Sequence, residues 1–525
     1  MTSRWRGRAA AAAVVVLAAA TAAPGGSPNP TPIGGPFAAL LAESADLGPS
    51  RTGPIRLTAA LAATERPGSL IAWAQRNSLS VRWRPGDSWA LVEGGPAAVQ
   101  AAFGIAVRDY RRPAGQTFYA STHQPAVPAA LRSEVTGLGR IMSFTPHHTA
   151  RPAPVPREVP GRGLTAATLL RTYNVAPLRD AGHTGRGVTV VVFSFDGVDQ
   201  SDLDQFAALN NLPAFTPEVV GGLPSERDGE ATQDLQAIHA LAPAARTVLV
   251  NALPTVAGDA PYARIAAMLE DTARRYPGAV WSFSIGWGCD RLVTAADLEP
   301  VRAAVRAAQR QGTTVFDASG DLAGLECRDG SKWADPPSTG DAGLDAVASV
   351  PEVTSVGGTT LSTDADGGWV SEEAWYDGPL SQGSGGGASG LFDRPAWQQQ
   401  AAPGAARRLT PDVAAVADPF TGLTVVDGGQ QAVAGGTSLS APLWAGFTAV
   451  INDYLATRGA GPVGEINPLL YRIAADQPAP VFRDVTLGGN AVDDAGPGYD
   501  PVTGLGTPDV DALARALLAQ REAGR

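Results

Sequence analysis

The chain has 525 residues, 44% of them hydrophobic, which is enough for about two to four domains with sizeable cores. Its net charge of -11 excludes a protein whose main partner is nucleic acid, because that function needs a basic face. Arginine supplies nearly all the positive charge, Lys332 being the only lysine.

The first stretch, "MTSRWRGRAAAAAVVVLAAATAAPGG", places Arg4, Arg6 and Arg8 before an apolar run ending near Ala20. Small residues at 20–23 offer a cleavage site, so residues 1–23 read as a secretory signal peptide and the mature chain is expected to be extracellular. No later apolar stretch is long enough to form a transmembrane helix. Residues 24–142 alternate helical patterns ("SLIAWAQRNSL", "GPAAVQAAFG") with strand-like runs ("SWALVEGG", "QTFYAS"), which predicts a small α+β domain of ferredoxin-like type. Residues 143–164 carry Pro146, Pro152, Pro154, Pro156 and Pro160, the composition of an exposed, semi-rigid linker.

From residue 165 onward, apolar runs such as "VTVVVFSF" (188–195), "RTVLVNAL" (246–253), "AVWSFSIGWG" (279–288), "GTTVFDASGD" (312–321) and "VTSVGGT" (353–359) alternate with helical stretches. Continuous apolar strands separated by helices predict a mainly parallel sheet covered on both faces, with chemistry at the carboxyl ends of the strands. The two cysteines, Cys289 and Cys327, either pair in an oxidising compartment or remain buried thiols.

Near the C-terminal end, "VAGGTSLSAP" (433–442) runs two glycines into a helix start. Ser438 there is either a helix cap or a nucleophile whose attack site faces unpaired backbone N–H groups. A serine nucleophile usually leans on a histidine, yet none of the five histidines lies in a glycine-rich catalytic setting. The carboxylates offer another base. In "RDGEATQDLQAIHALAP", Glu230 and Asp234 stand four apart, on one face of a helix, where two carboxyls share a proton and one acquires a raised pKa. The alternative is an acidic helix start favoured by the dipole. Asp321 ends the strand "FDASGD", either as a turn residue or as a protonated acid that donates to an oxyanion, and Asp317 shows that acids are not rare there.

Together, Glu230 with Asp234, "SIGWG" (284–288), "ASGD" ending at Asp321 and "GGTSLSAP" resemble the sedolisin, or serine-carboxyl peptidase, family. "PEVTSVGGTTL" (351–361), "SEEAWYDGPLSQGSGGGASGLF" (371–392), "PDVAAVADPFTG" (411–422) and "GYDPVTGLGTP" (498–508) resemble further family segments in family order. The resemblance implies a subtilisin-like catalytic domain over 165–525, with Ser438 as nucleophile, Glu230 as base, Asp234 orienting Glu230 and Asp321 in the oxyanion hole. It implies substrate contacts at Trp287, Gly286, Gly385 and Gly386, and one Ca2+ held by Asp484, Val485, Gly496, Gly498 and Asp500. It also makes residues 24–142, most clearly "GQTFYASTHQPAVPAAL" (115–131), an activation propeptide of the pro-kumamolisin type that inhibits its own enzyme until cut in the linker. The expected protein is a secreted, monomeric, acid-acting endopeptidase on protein or peptide substrates. A tripeptidyl exopeptidase of the same family and a catalytically silent secreted binding protein are the alternatives.

Overall fold

A computed structural model describes residues 30–51, 53–149, 163–328, 339–476 and 481–523. The signal-peptide reading and most of the linker therefore lie outside the described residues.

The N-terminal unit is built on a four-stranded antiparallel sheet. Its elements in chain order are β1 (Ile55–Leu61), α1 (Gly68–Arg76), β2 (Ser80–Arg82), β3 (Trp89–Gly94), α2 (Pro96–Phe103) and β4 (Val135–Leu138). The spatial order β2-β3-β1-β4 is that of a ferredoxin-like βαββαβ unit. Pro96 at the first turn of α2 and Gly104 in the left-handed region after it bracket that helix as the chemistry of helix ends requires. Ile55, Leu57, Ala59, Val92, Val99 and Leu131 form its core.

The larger body centres on an eight-stranded sheet. After a short strand β5 (His148–Thr149) come β6 (Thr189–Ser194), β7 (Glu218–Val220), β8 (Arg246–Asn251), β9 (Val280–Phe283), β10 (Ile285–Gly286), β11 (Thr314–Ala318), β12 (Thr354–Thr363), β13 (Trp369–Ala374) and β14 (Val413–Val416). The order is β7-β8-β6-β9-β11-β12-β13, with β14 pairing β12, and every pair is parallel except β12 with β13. Val190 and Val192 point to one face of the sheet and Val191 and Phe193 to the other, so β6 is apolar throughout because both faces are covered. One face carries α3 (Glu230–Leu241) and α6 (Thr437–Ala456); the other carries α4 (Pro261–Arg275) and α5 (Ala295–Gln309).

The N-terminal unit docks on the α4–α5 face through ion pairs of Arg56 with Asp259 and Arg84 with Glu270. Asp297, in the first turn of α5, accepts the Arg140 N–H with both oxygens, at 3.1 and 3.0 Å. A side chain on Gly139 could not be placed there, since its Cβ would lie 2.1 Å from Asp297 Oδ1. Beyond this contact the chain leads into β5, which pairs antiparallel with β10, His148 opposite Gly286 and Thr149 opposite Ile285.

Candidate active site

Two buried helix starts and two strand ends converge at the carboxyl edge of the sheet. Gly229, at φ 93, makes the left-handed turn that delivers Glu230 as the first residue of α3. All twelve residues of α3 are buried, although six of them are polar or charged. Gln236 is satisfied by the Val426 backbone, donating to its carbonyl and accepting from its N–H, both at 2.8 Å. His239 bonds the Pro213 carbonyl through Nε2 at 2.7 Å and stacks on Phe215; burial pulls its pKa down to about 4.

Glu230 and Asp234 face the start of α6. Asp234 Oδ1 accepts the Ser284 hydroxyl at 2.9 Å, and the same hydroxyl lies 3.0 Å from the Ser438 carbonyl oxygen, so Ser284 ties the two helix starts together. Burial drives the Glu230 carboxyl well above its ordinary range, and the charges of Asp234 and Asp321 push it further; the nearby Ser438 hydroxyl works the other way. Burial also raises Asp234, against the Ser284 hydrogen bond. The Ser438 hydroxyl donates to the Ser284 carbonyl at 3.3 Å, and neither Glu230 oxygen has a hydrogen bond among the described residues.

Ser438 is the second residue of α6, so its N–H belongs to the unpaired first turn. Ser440 anchors this turn by donating to the carbonyls of Ala415 and Val416 at 2.9 and 3.1 Å. Gly436 precedes it at φ 83, and a Cβ there would meet Asp321 Oδ2 at 2.7 Å. Asp321 Oδ1 accepts both the Thr437 N–H (2.7 Å) and the Thr437 hydroxyl (2.8 Å), which leaves Oδ2 as the oxygen that can carry a proton. Burial raises the Asp321 pKa, and the two Thr437 hydrogen bonds oppose the shift.

Sequence reading missed several residues here. Ser284 sat unremarked inside "SIGWG", and Thr437 inside "GGTSLSAP". Asp196, just beyond β6, accepts the N–H groups of Asp228 (3.0 Å) and Ala231 (3.4 Å), and its charge raises both Glu230 and Asp234. An Asp at the end of an apolar strand was the available signal.

The residues expected to contact substrate are placed as follows. Gly286 lies on β10, whose edge β5 covers. Trp287 brings its backbone to this edge, but its ring is fully buried against Phe195 and Phe283, with Nε1 donating to Thr255 at 3.0 Å. The ring's apolar area and single donor are both satisfied inward. Gly385 donates to the Gly320 carbonyl at 2.8 Å and packs on the Ser319 carbonyl, bracing the Asp321 turn; Gly386 packs on Pro411 and the Pro501 carbonyl.

Cys289 and Cys327 form a disulfide that ties the segment after β10 to the segment after Asp321. They make up, with Asp290, the only cluster of three potential metal-ligand side chains among the described residues, and its two sulfurs are spent in that bond. Asp484 and Asp500 come together around the loop 496–500, Asp484 Oδ2 accepting the Gly498 N–H at 2.8 Å and Asp500 Oδ2 the Gly496 N–H at 3.4 Å. Among the described residues, no histidine forms a hydrogen bond or ion pair with Ser438, Glu230 or Asp234. His183 stands 3.8 Å from Asp453, and His147 packs edge-on against Phe195.

A mainly parallel α/β sheet of subtilisin type, with a helix-start serine set among buried carboxyls, is the arrangement of a serine-type peptidase. Kumamolisin of Bacillus sp. (strain MN-32) is 34% identical over 460 residues, covering 82% of this chain and 78% of kumamolisin. Sedolisin of Pseudomonas sp. (strain 101) is 27% identical over 488 residues (85% and 78%), and tripeptidyl-peptidase 1 of Homo sapiens 29% over 435 residues (76% and 73%). The solved structure of Pseudomonas sedolisin complexed with two molecules of pseudo-iodotyrostatin superposes with a TM-score of 0.58 at 25% identity, covering 70% of this chain and 100% of that one. No family model matches the chain. The chain belongs to the sedolisin family of serine-carboxyl peptidases.

Proposed function

We propose that the protein is an endopeptidase working in acid, made as a secreted precursor that cuts itself. Ser438 attacks the peptide carbonyl while Glu230 takes its proton, Asp234 orients Glu230, and the Ser438 N–H with protonated Asp321 receives the developing oxyanion. Glu230 then returns its proton to the leaving amine, and water releases the acyl group by the reverse path. The observation that carries this reading is the meeting of Asp234 and the start of the Ser438 helix on the Ser284 hydroxyl, with the buried Glu230 carboxyl beside Asp234 and Ser438 and no histidine bonded to them among the described residues. Burial keeps Asp321 protonated in acid, and Glu230 and Asp234 titrate as a pair in which Asp234 holds the shared proton and Glu230 is the ionised partner, under conditions in which a histidine is protonated and cannot act as base.

The pairing of β5 with β10 supports an inhibitory role for residues 24–142, because the chain leaving the N-terminal unit lies antiparallel on the groove strand as an added strand. Cleavage within 143–164 would release it.

A single Ca2+ is proposed at Asp484, the Val485 carbonyl, the Gly496 and Gly498 carbonyls and Asp500. The set offers two carboxylates and only oxygen donors, and neither carboxylate has an ion pair among the described residues. Burial raises the Asp500 pKa, a cost that a bound divalent cation would remove. Such an ion would supply structural charge to this loop and take no part in the reaction.

The test is hydrolysis of a long, unstructured peptide at about pH 4, beside Ser438→Ala and Glu230→Ala, each expected to lose activity by a factor of about 10³ or more. Products cut at internal sites establish an endopeptidase. Release of tripeptides alone establishes the exopeptidase instead, a reading that the tripeptidyl-peptidase relatives favour.

A further inference from the structure

Behind the two walls of the cleft lies a second group of buried acids that the reaction does not use: Asp290, Asp317, Glu326 and Asp345. Three of them are solvated by backbone N–H groups. Asp290 accepts from Leu344 (3.2 Å) and Gly390 (2.7 Å), and Glu326 from Leu322 (2.9 Å). Asp345 accepts from Trp287 (3.0 Å), Val347 (2.8 Å) and Ala348 (3.1 Å). Asp317 is different. Both its oxygens are buried, and neither has a hydrogen bond among the described residues. The adjacent Ala318 amide lies close enough to favour the ionised form slightly, without the geometry of a hydrogen bond.

Position makes this carboxyl consequential. Asp317 is the fourth residue of β11, which runs directly through Ser319 and Gly320 into Asp321. Its register neighbours are Phe283 on β9 and Ser355 on β12, and the Ser355 hydroxyl is itself without a partner. The helix covering this face turns Leu298, Val301 and Val305 into the same core, so it offers no cation. One titratable group on another element acts on Asp317, the carboxyl of Asp345, and it bears the same sign. Asp345 in turn holds the Trp287 N–H, while the adjoining Ala346 N–H bonds the Gly288 carbonyl at 2.9 Å. Asp317 and Asp345 thus stand between the groove segment and the strand that carries Asp321.

An ionised carboxylate at 317 would have no counter-charge among the described residues and at most the Ser355 hydroxyl as a donor, so the interior favours the neutral form. We propose that Asp317 is a positioning residue that must stay a neutral carboxylic acid for β11 to hold Asp321 against the groove. Loss of its proton puts an uncompensated charge beside Asp345, and the strand end shifts, taking Asp321 with it. Burial raises both acids, Asp345 to about 7, so the neutral arrangement persists in acid and is lost as pH rises. The proposal rests on the reading of Asp321 as the oxyanion donor.

The experiment compares the full chain, matured at about pH 4, with Asp317→Asn and Asp317→Val. It reads kcat, KM and the near-ultraviolet circular dichroism from pH 4 to 8, with Ser438→Ala as control. A neutral side chain at 317 should leave kcat/KM at pH 4 within about threefold of the parent. The midpoint for loss of kcat and of the dichroism signal should move up by about one pH unit or more. Superimposable pH profiles for parent and both variants would overturn the proposal. So would failure of both variants to fold at pH 4, since a neutral isostere would then be no substitute for a neutral acid. A Ser438→Ala chain that still cleaves peptide sinks the serine-carboxyl reading itself, whereas a dead control with unshifted Asp317 profiles sinks the positioning role alone.

Discussion

Asp321 shows how one side chain is fixed for a single protonation state. Its Oδ1 is committed to two donors from Thr437, and Gly436 leaves room beside Oδ2 where any larger residue would collide. An acid so placed can donate from Oδ2 only while protonated. Asp321→Ala should therefore lower kcat by about 10² to 10³ with little change in KM. Asp321→Asn, which donates at every pH, should keep more activity than the alanine variant and extend it to higher pH. An alkaline limb unchanged in the asparagine variant, measured as kcat against pH, would remove Asp321 from the titrating set. Ser438, Glu230, Asp234 and Asp321 could be singled out in the sequence through the resemblance of their segments to the sedolisin family, because spacing and flanking glycines alone left cap, helix-start and turn readings open. Ser284 and Asp196 could not, because a serine in an apolar strand and an aspartate after one are common; only their distances to Asp234 and α3 give them meaning.

At the level of elements, α3 is buried along its whole length and α6 at every residue but its last, Ala456, an outcome that their sequences advertise unequally. The run "TSLSAPLWAGFTAVINDYLA" of α6 is apolar enough to announce an interior helix, whereas "EATQDLQAIHAL" reads as a surface helix with one apolar stripe. Burial of α3 depends on partners distant in sequence, such as the Val426 backbone around Gln236 and the Pro213 carbonyl at His239. Strands β6, β8, β9, β11 and β12 were legible as apolar runs, and so was the ferredoxin-like unit. The short β7 was not, since Glu218, Val219 and Val220 are exposed or half-exposed and lack a buried stripe. The proposed Ca2+ belongs to this scale, because it would clamp the 484–500 loops. Removing the ion with a chelator should lower the melting temperature, and Asp500→Asn should abolish that sensitivity. A melting temperature indifferent to chelator and to added Ca2+ in the parent would rule the ion out.

Across the whole molecule, the buried acids set the dependence of stability on pH. Burial raises Glu230, Asp234, Asp317, Glu326 and Asp345, so each folded carboxyl binds its proton more tightly than the unfolded chain does. Stability from such groups is complete below their unfolded values and falls as pH rises, for Asp345 between 3.8 and about 7. Glu352 acts in the opposite sense. Burial works against its charge, but the hydrogen bond to Arg302 and the charges of Arg302 and Arg306 outweigh it, so its contribution is lost as pH falls below 4.5. The raised acids are more numerous and more deeply buried, and the melting temperature should be highest in mild acid and decline toward neutrality. A maximum at neutral pH would mean that Asp317, Glu326 and Asp345 are not neutral in the fold.

The most direct measurement is the intact mass of the purified precursor after incubation at about pH 4, beside its Ser438→Ala and Glu230→Ala variants. The account predicts that only the parent loses a fragment ending within 143–164, while both variants stay whole. Efficient self-cleavage by Glu230→Ala would contradict it, and so would a parent that remains intact and leaves an added protein substrate uncut.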